Sequence, residues 1–374
     1  ARYSESGGEL RGKSRRYSVQ DIADALGRPK TSVFRALSQI AKAGDGLVSP
    51  QERGYRDYTL NDLVAVRAHL GMAKHHSPDQ RCAVVNVHNF KGGVGKSTTT
   101  AHLGMGLFAR GYRTLLIDMD PQASLSTLLG IHPELDLSPA QTLVPFLKGA
   151  EPTMDYAIRA TEFDGLSIIP AHLGLADVDR ILPERQAREI EKGSDWVWSS
   201  VLAKGLEPLR DRFDVILIDC PPTMAMLSGI AIQASDALLC PLRPSMLDFA
   251  SSGQYIQMLG GLQAETDLLL RGEKRYSWLR FMLSMSEKRQ DSRDMAAIIR
   301  ATYGNQVMGA EFPKLPAVAD AGRLMRTVFD VRASDVSRDH LKRAIAEVET
   351  LVDEFEALIA PIIGRTAPAM VSTK

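Results

Sequence analysis

An α/β fold with a doubly wound, mostly parallel sheet, preceded by a small all-α module, is the class this sequence predicts, and three observations predict it. From Cys82 onward, short apolar runs ("AVVNVHNF", "TLLIDMD", "LSIIPA", "VILIDCPP", "ALLCPLR", "WLRFMLSM") alternate with helical stretches. Runs without polar alternation fit strands buried on both faces, and their alternation with helices fits parallel crossover units. Ahead of them the apolar residues recur at helical spacing instead. Finally, a glycine-rich stretch, "NFKGGVGKSTTTAHLG" at 89–104, follows the first run, and ligands in such sheets sit at the carboxyl ends of strands.

A chain of 374 residues is long enough for a large core and for two domains, a small independent module plus one larger domain. Lysine plus arginine and aspartate plus glutamate both total 45, so overall charge gives no argument for a nucleic-acid or membrane partner and any such surface must be local. The first 42 residues do carry nine basic against four acidic side chains, which a solvated tail and helix face also explains. Cys82, Cys220 and Cys240 lie in apolar runs with no C-x-x-C pair, so they are expected buried and reduced in a cytoplasmic protein. No apolar run reaches the roughly 18 residues of a spanning helix, and the arginine-rich start lacks a secretory apolar segment.

In chain order, residues 1–16 are glycine- and charge-rich without periodicity and are expected to form a flexible arm. "YSVQDIADALGRPKTSVFRALSQI" reads as helix, turn, helix: Ser18 caps the first helix, Ile22, Ala23 and Leu26 form its inner face, Gly27 supplies the turn, and Val33, Phe34, Leu37 and Ile40 recur in the second. That pattern fits a helix-turn-helix whose second helix enters a major groove, and equally an ordinary αα-hairpin. In the first case Arg28, Lys30, Thr31, Ser32 and Arg35 face the DNA. A glycine- and proline-punctuated wing then leads to a helix capped near Thr59 or Asn61, and "MAKHHSPDQR" reads as a linker. The domains are therefore expected at 17–80 and 81–335, followed by a C-terminal segment, 336–374. There apolar residues at 341, 344, 345, 348, 351, 352, 355, 358 and 359 make a long amphipathic helix with an acidic polar face, suited to packing on protein.

The chemistry is expected at three strand ends. Gly92, Gly93 and Gly95, with Val94 between them, let the backbone fold its N–H groups around a phosphate chain at a helix N-terminus. Lys96 then meets the β- and γ-phosphates, Ser97 a magnesium ion, and Thr98 donates a further hydrogen bond. A strict G-x-x-x-x-G-K-[ST] loop needs glycine at position 90, where Phe90 stands, so the loop is a variant with Lys91 in its second position. Asp219 closes "DVILID" as the acid that holds magnesium through water in phosphate-loop enzymes, or as a turn residue. Asp120 ends a neighbouring strand, where its carboxylate can orient a water, Asp118 braces the site, and either can instead cap the turn before "PQAS".

"KGGVGKST", "IDMDPQAS" and "LIDCPP", in this order and spacing, resemble the ParA family of DNA-partition ATPases, a P-loop NTPase fold with a deviant Walker A loop, across residues 82–335. The N-terminal helices look like those of the larger plasmid members, including RepA proteins of repABC plasmids. The resemblance implies ATP and Mg²⁺ as ligands and a homodimer in which Lys91 reaches its partner's phosphates. It also implies non-specific DNA binding in the ATP state, a ParB-type centromere-binding partner that stimulates hydrolysis, and operon autorepression through the helix-turn-helix. Lys314, Arg323, Arg326 and Arg343 are the comparable basic positions for DNA, and the backbone near Phe312 and Pro313 is expected to flank the adenine. A nucleoid-associated cytoplasmic protein without membrane contact follows. A nucleotide-controlled repressor is the alternative. A MinD-like membrane ATPase lacks its basic C-terminal helix in "GRTAPAMVSTK", and a nitrogenase-iron-protein-like reductase lacks a cysteine partner for Cys220.

Overall fold

The structure, a computed structural model, describes residues 14–43, 58–74, 80–270 and 274–364. The expected wing, part of the linker, the C-terminal tail and most of the arm lie outside the described residues.

The sheet has seven strands in the order β3-β4-β2-β5-β1-β6-β7. They are β1 Ala83–Val87, β2 Thr114–Asp118, β3 Arg159–Ala160, β4 Leu166–Ile169, β5 Val215–Asp219, β6 Ala237–Leu242 and β7 Trp278–Leu283. All pairs are parallel except β3 with β4. The six apolar runs are six of these strands. β3 went unread because two residues carry no periodicity; it exists through its pairing with β4.

Successive strand residues face opposite sides, and the core divides accordingly. Val85, Val87, Leu116, Val215 and Leu217 join one apolar cluster, and Val84, Leu115, Ile117, Ile216 and Ile218 the other. The first side is covered by α4 (Lys96–Ala109) and α10 (Arg338–Ile363), the second by α5 (Val178–Glu191) and α6 (Met226–Ala234). α4 and α10 pack closely because a Cβ on Gly106 would lie 2.5 Å from Val352 Cγ2. Beyond β6 come α7 (Met246–Leu270), α8 (Gln290–Tyr303) and the short α9 (Pro316–Arg323). In α10 the expected apolar stripe is buried at Leu341, Ala344, Val348, Leu351, Val352, Phe355 and Ile359, so that face packs on the body.

The N-terminal module is α1 (Val19–Leu26), α2 (Lys30–Ala43) and α3 (Leu60–His69). Ser18 and Asp21 form a capping box at α1, Thr59 and Asp62 another at α3, and Gly27 ends α1 at φ 58°, a left-handed conformation that favours glycine. The module is less separate than the sequence suggests. Its residues Ile22, Leu37, Leu63 and Val66 belong to the same apolar cluster as Leu107 of α4 and Leu341 of α10. Polar contacts reinforce the seam: Tyr17 donates its hydroxyl to Phe329 O at 2.6 Å, and Asn61 Nδ2 donates to Glu162 O at 2.9 Å. Ser14 bridges to Val331, so the described end of the arm lies along the body.

Candidate functional site

Parallel pairing sets Val87, Asp219 and Asp118 level with one another at the carboxyl ends of β1, β5 and β2. The glycine loop leaves β1 there and enters α4, whose cap Gly95 has φ 84°. Asn89 fixes the loop's base, its Oδ1 accepting from Lys91 N at 3.0 Å and its Nδ2 donating to Pro241 O at 2.8 Å. Val94 is buried under the loop while Gly92 and Gly93 are exposed. Lys96 is 7% exposed, and its ammonium donates to Lys91 O at 2.9 Å across the loop. Burial pushes its pKa down, against the pull of Asp219 and Asp120. The loop thus holds a largely buried cation across its neck.

Asp219 is fully buried, and among the described residues neither carboxylate oxygen has a hydrogen-bond partner of normal geometry. Burial first, and Asp118 second, push its pKa well up; Ser97 and Lys96 lie near enough to pull it down. Orphaned buried carboxylate oxygens are costly. Beside the half-buried Ser97 they fit the water shell of a hard cation such as magnesium. Asp118 is fully committed instead: Ser126 N and Oγ donate to its Oδ2 at 2.8 and 2.7 Å, and Asp120 N to its Oδ1 at 3.1 Å. Burial raises its pKa to about 7. Its carboxylate ties β2 to the helix at Ser124–Leu128. Asp120 is half-buried, and Gln122 N donates to its Oδ1 at 2.9 Å, so it does cap the turn, and it lies near enough to Lys96 and Asp219 to raise the pKa of both.

On the opposite side of the loop, Met285 lies against Gly95, where an added Cβ would meet its Cε at 3.2 Å. The side chain of Phe312 turns inward. Its ring is buried, edge-on to His102 of α4, and its N–H and C=O are taken by Leu283 O and Met285 N. Pro313, by contrast, lines an open groove of about 1100 Å³.

The basic residues divide as well. Lys314 and Arg343 line that groove together with Lys288, Arg293 and His340. Arg323 is exposed and pairs with Asp320. Arg326 is a correction: it is 4% exposed, its guanidinium bridging Glu162 and, at 2.9 Å, Asp330. A buried pair of this kind organises the chain and cannot meet DNA; it locks the turn on which Tyr17 docks. In α2, Val33, Ala36, Leu37 and Ile40 face inward, leaving Lys30, Thr31 and Arg35 exposed, with Arg28 just before them and Ser32 half-buried. Phe34 shares the exposed face at 41%, although its spacing had suggested core.

Sequence reading missed two further groups. His88 Nε2 lies 3.2 Å from Thr223 O and its Nδ1 3.3 Å from Tyr255 OH, linking the loop after Asp219 to α7. The ammonium of Lys91 meets Leu247 O and Asp248 at the start of α7, a pairing 156 residues distant in sequence and signalled only by the Ser245-x-x-Asp248 spacing of a helix start.

Replacing Lys96 by Ala is expected to weaken ATP binding by at least about a hundredfold, because charge-assisted bonds to two phosphates are lost together. Equilibrium titration with a fluorescent ATP analogue checks this, and near-normal affinity would remove Lys96 from the phosphate site.

A family model described as an AAA domain matches residues 82–270. A putative replication protein A of Rhizobium rhizogenes is 30% identical over 363 residues, covering 94% of this chain and 88% of that protein. The chromosome partitioning protein ParA of Caulobacter vibrioides is 33% identical over 266 residues, 70% of this chain and 92% of that one. A solved structure titled "Partition Protein" superposes with a TM-score of 0.71 at 20% identity, over 96% of this chain and 95% of its own, so the likeness of fold extends through the N-terminal helices. With a glycine loop, a strand-end acid and a second acidic turn converging on one crevice of a doubly wound sheet, and with relatives of this identity and coverage, the chain belongs to the ParA family of partition ATPases.

Proposed function

We propose that this protein is an ATP-dependent DNA-segregation ATPase that dimerises on ATP, binds DNA non-specifically in that state, and is reset when a ParB-type partner stimulates hydrolysis. The observation that carries the reading is the gathering of charged groups at the strand ends: Lys96 held across the loop, two orphaned Asp219 oxygens near Ser97, and Asp120 close enough to act on both Lys96 and Asp219. The N–H groups of Gly92, Gly93, Val94 and Gly95 cradle the phosphates, Lys96 neutralises them, and Thr98 adds a hydroxyl. Ser97 and Asp219 hold Mg²⁺, which when bound supplies charge neutralisation across the phosphates. Asp120 orients the attacking water and Asp118 fixes the turn that carries Asp120. Lys91 serves the nucleotide of a second copy, as an arginine finger does. Pro313 and the groove beside it accept the base side of the nucleotide.

Residues 17–80 bind the operator through Arg28, Lys30, Thr31, Ser32 and Arg35, and autorepress the operon. Lys314, Arg343 and the neighbouring Lys288 and Arg293 carry the sequence-independent contacts, with Arg323 at a separate exposed position. No described helix is long and apolar enough to cross a membrane, and a nucleoid-associated cytoplasmic location follows from the DNA reading.

The test is a sizing measurement without nucleotide, with ADP and with ATP, each with Mg²⁺, repeated with non-specific duplex DNA across a salt series. A doubled mass only with ATP is expected, with DNA affinity in that state falling at least about tenfold between 50 and 200 mM salt. One mass in all three states overturns the reading.

A further inference from the structure

The ammonium of Lys91 does not point at its own loop. It donates to Leu247 O at 2.7 Å and lies 3.5 Å from Asp248 Oδ1, in the first turn of α7, with its side chain 25% exposed. From these contacts we infer that Asp248 is a cis latch for Lys91: in the single chain it holds the lysine back, and ATP-driven pairing proceeds by exchanging this carboxylate for the partner's phosphates. The inference rests on the reading of Lys91 as serving a second copy.

Two features make the contact a latch and not a structural ion pair. First, the helix start is the wrong place for a cation. The N-terminal turn of α7 carries the positive end of the helix dipole, so the carboxylate of Asp248 is the charge that keeps an ammonium there. Second, Asp248 does not depend on Lys91. Its side chain is 3% exposed, yet Arg243 reaches both its oxygens, Nη2 to Oδ1 at 3.3 Å and Nε to Oδ2 at 3.2 Å, and the Ser245 hydroxyl donates to Oδ2. The Asp248 backbone N–H is itself satisfied by Ser245 Oγ at 3.2 Å. Departure of Lys91 therefore leaves no unpaired buried charge, the condition that makes most buried ion pairs hard to break. The carboxylate passes to Arg243, whose side chain is 41% exposed and free to tighten on it. The same helix carries Tyr255, which meets His88 and through it the carbonyl of Thr223, so the latch sits on an element already tied to the loop after Asp219.

The arrangement predicts opposite effects for two substitutions. Asp248→Asn keeps the size and the polar end of the side chain but removes the charge that holds Lys91. Arg243→Gln removes the competing guanidinium and leaves Lys91 as the cation on Asp248 among the described residues. The experiment uses the full chain and two readouts: acetylation of Lys91 by acetic anhydride in the nucleotide-free monomer, quantified by mass spectrometry against Lys192, and the ATP concentration for half-maximal dimerisation with Mg²⁺. Asp248→Asn is expected to raise Lys91 acetylation and lower the ATP requirement, each about threefold to tenfold, and Arg243→Gln to move both the other way. Unchanged acetylation in both variants overturns the cis hold. Changed acetylation with an unchanged ATP requirement reduces the contact to an ordinary ion pair and also overturns the latch. A wild-type chain that never dimerises with ATP, while acetylation still shifts, defeats the second-copy role of Lys91 and with it the latch.

Discussion

Lys91→Ala is expected to bind ATP within about threefold of the wild-type affinity, fail to dimerise, and lose hydrolysis by about a thousandfold or more, the scale of an arginine finger supplied by another chain. The structure separates what this side chain does from what its backbone does. The loop uses Lys91 through its N–H, held by Asn89, and through its carbonyl, held by Lys96. Alanine keeps both. The ammonium is spent outside the loop on Leu247 O and Asp248, so its removal takes nothing from the chain's own phosphate site. Lys96→Ala should instead fail at the binding step itself. Titration with a fluorescent ATP analogue, sedimentation and phosphate release on the same Lys91 variant give the three numbers. Normal turnover would show that Lys91 is no more than an exposed partner of Asp248.

What the sequence revealed and what it hid follow from how local each signal is. Strands apolar at every position, such as "VILID", announce burial on both faces, and the glycine loop announces itself because its backbone conformation restricts residue choice in place. Ser18 and Gly27 were legible for the same reason, and the cap of α3 was narrowed to Thr59 or Asn61, since caps act within three or four residues. Arg326 misled because basicity does not reveal which way a side chain faces; its partner Asp330, four residues on in "RTVFD", was the available hint of an internal pair. The Phe312 ring was not legible either: it serves the core against His102, far earlier in the chain. The partners of Lys91 were beyond reach, since β6 must lie beside β1 before the start of α7 can approach the loop. The shared core of the N-terminal module was hidden likewise: the inner faces of α1 to α3 look complete as a three-helix unit until Leu107 and Leu341 are seen to continue them.

Asp120→Ala should retain ATP, dimerise and remain on DNA while hydrolysis falls by about a hundredfold to ten-thousandfold, the range for loss of a positioned general base. The turn should survive the change. Ala123 N bonds the main-chain carbonyl of Asp120, Asp120 N bonds Asp118, and neither needs the side chain; only the Gln122 N–H loses its acceptor. Unchanged turnover would leave Asp120 as a turn cap and nothing more. Combined with Lys91→Ala, this variant also decides between cis and trans. In a mixed dimer the subunit lacking Lys91 still has Asp120, and it receives the lysine of the subunit lacking Asp120, so one complete site is rebuilt from two inactive chains. Equal mixing before ATP is added is expected to restore hydrolysis well above that of either variant alone, with a ceiling of about half the wild-type rate, since each mixed dimer has one working site of two. If Lys91 acted on its own chain's nucleotide, neither subunit of the mixed dimer would hold a complete site and the mixture would stay as inactive as its components.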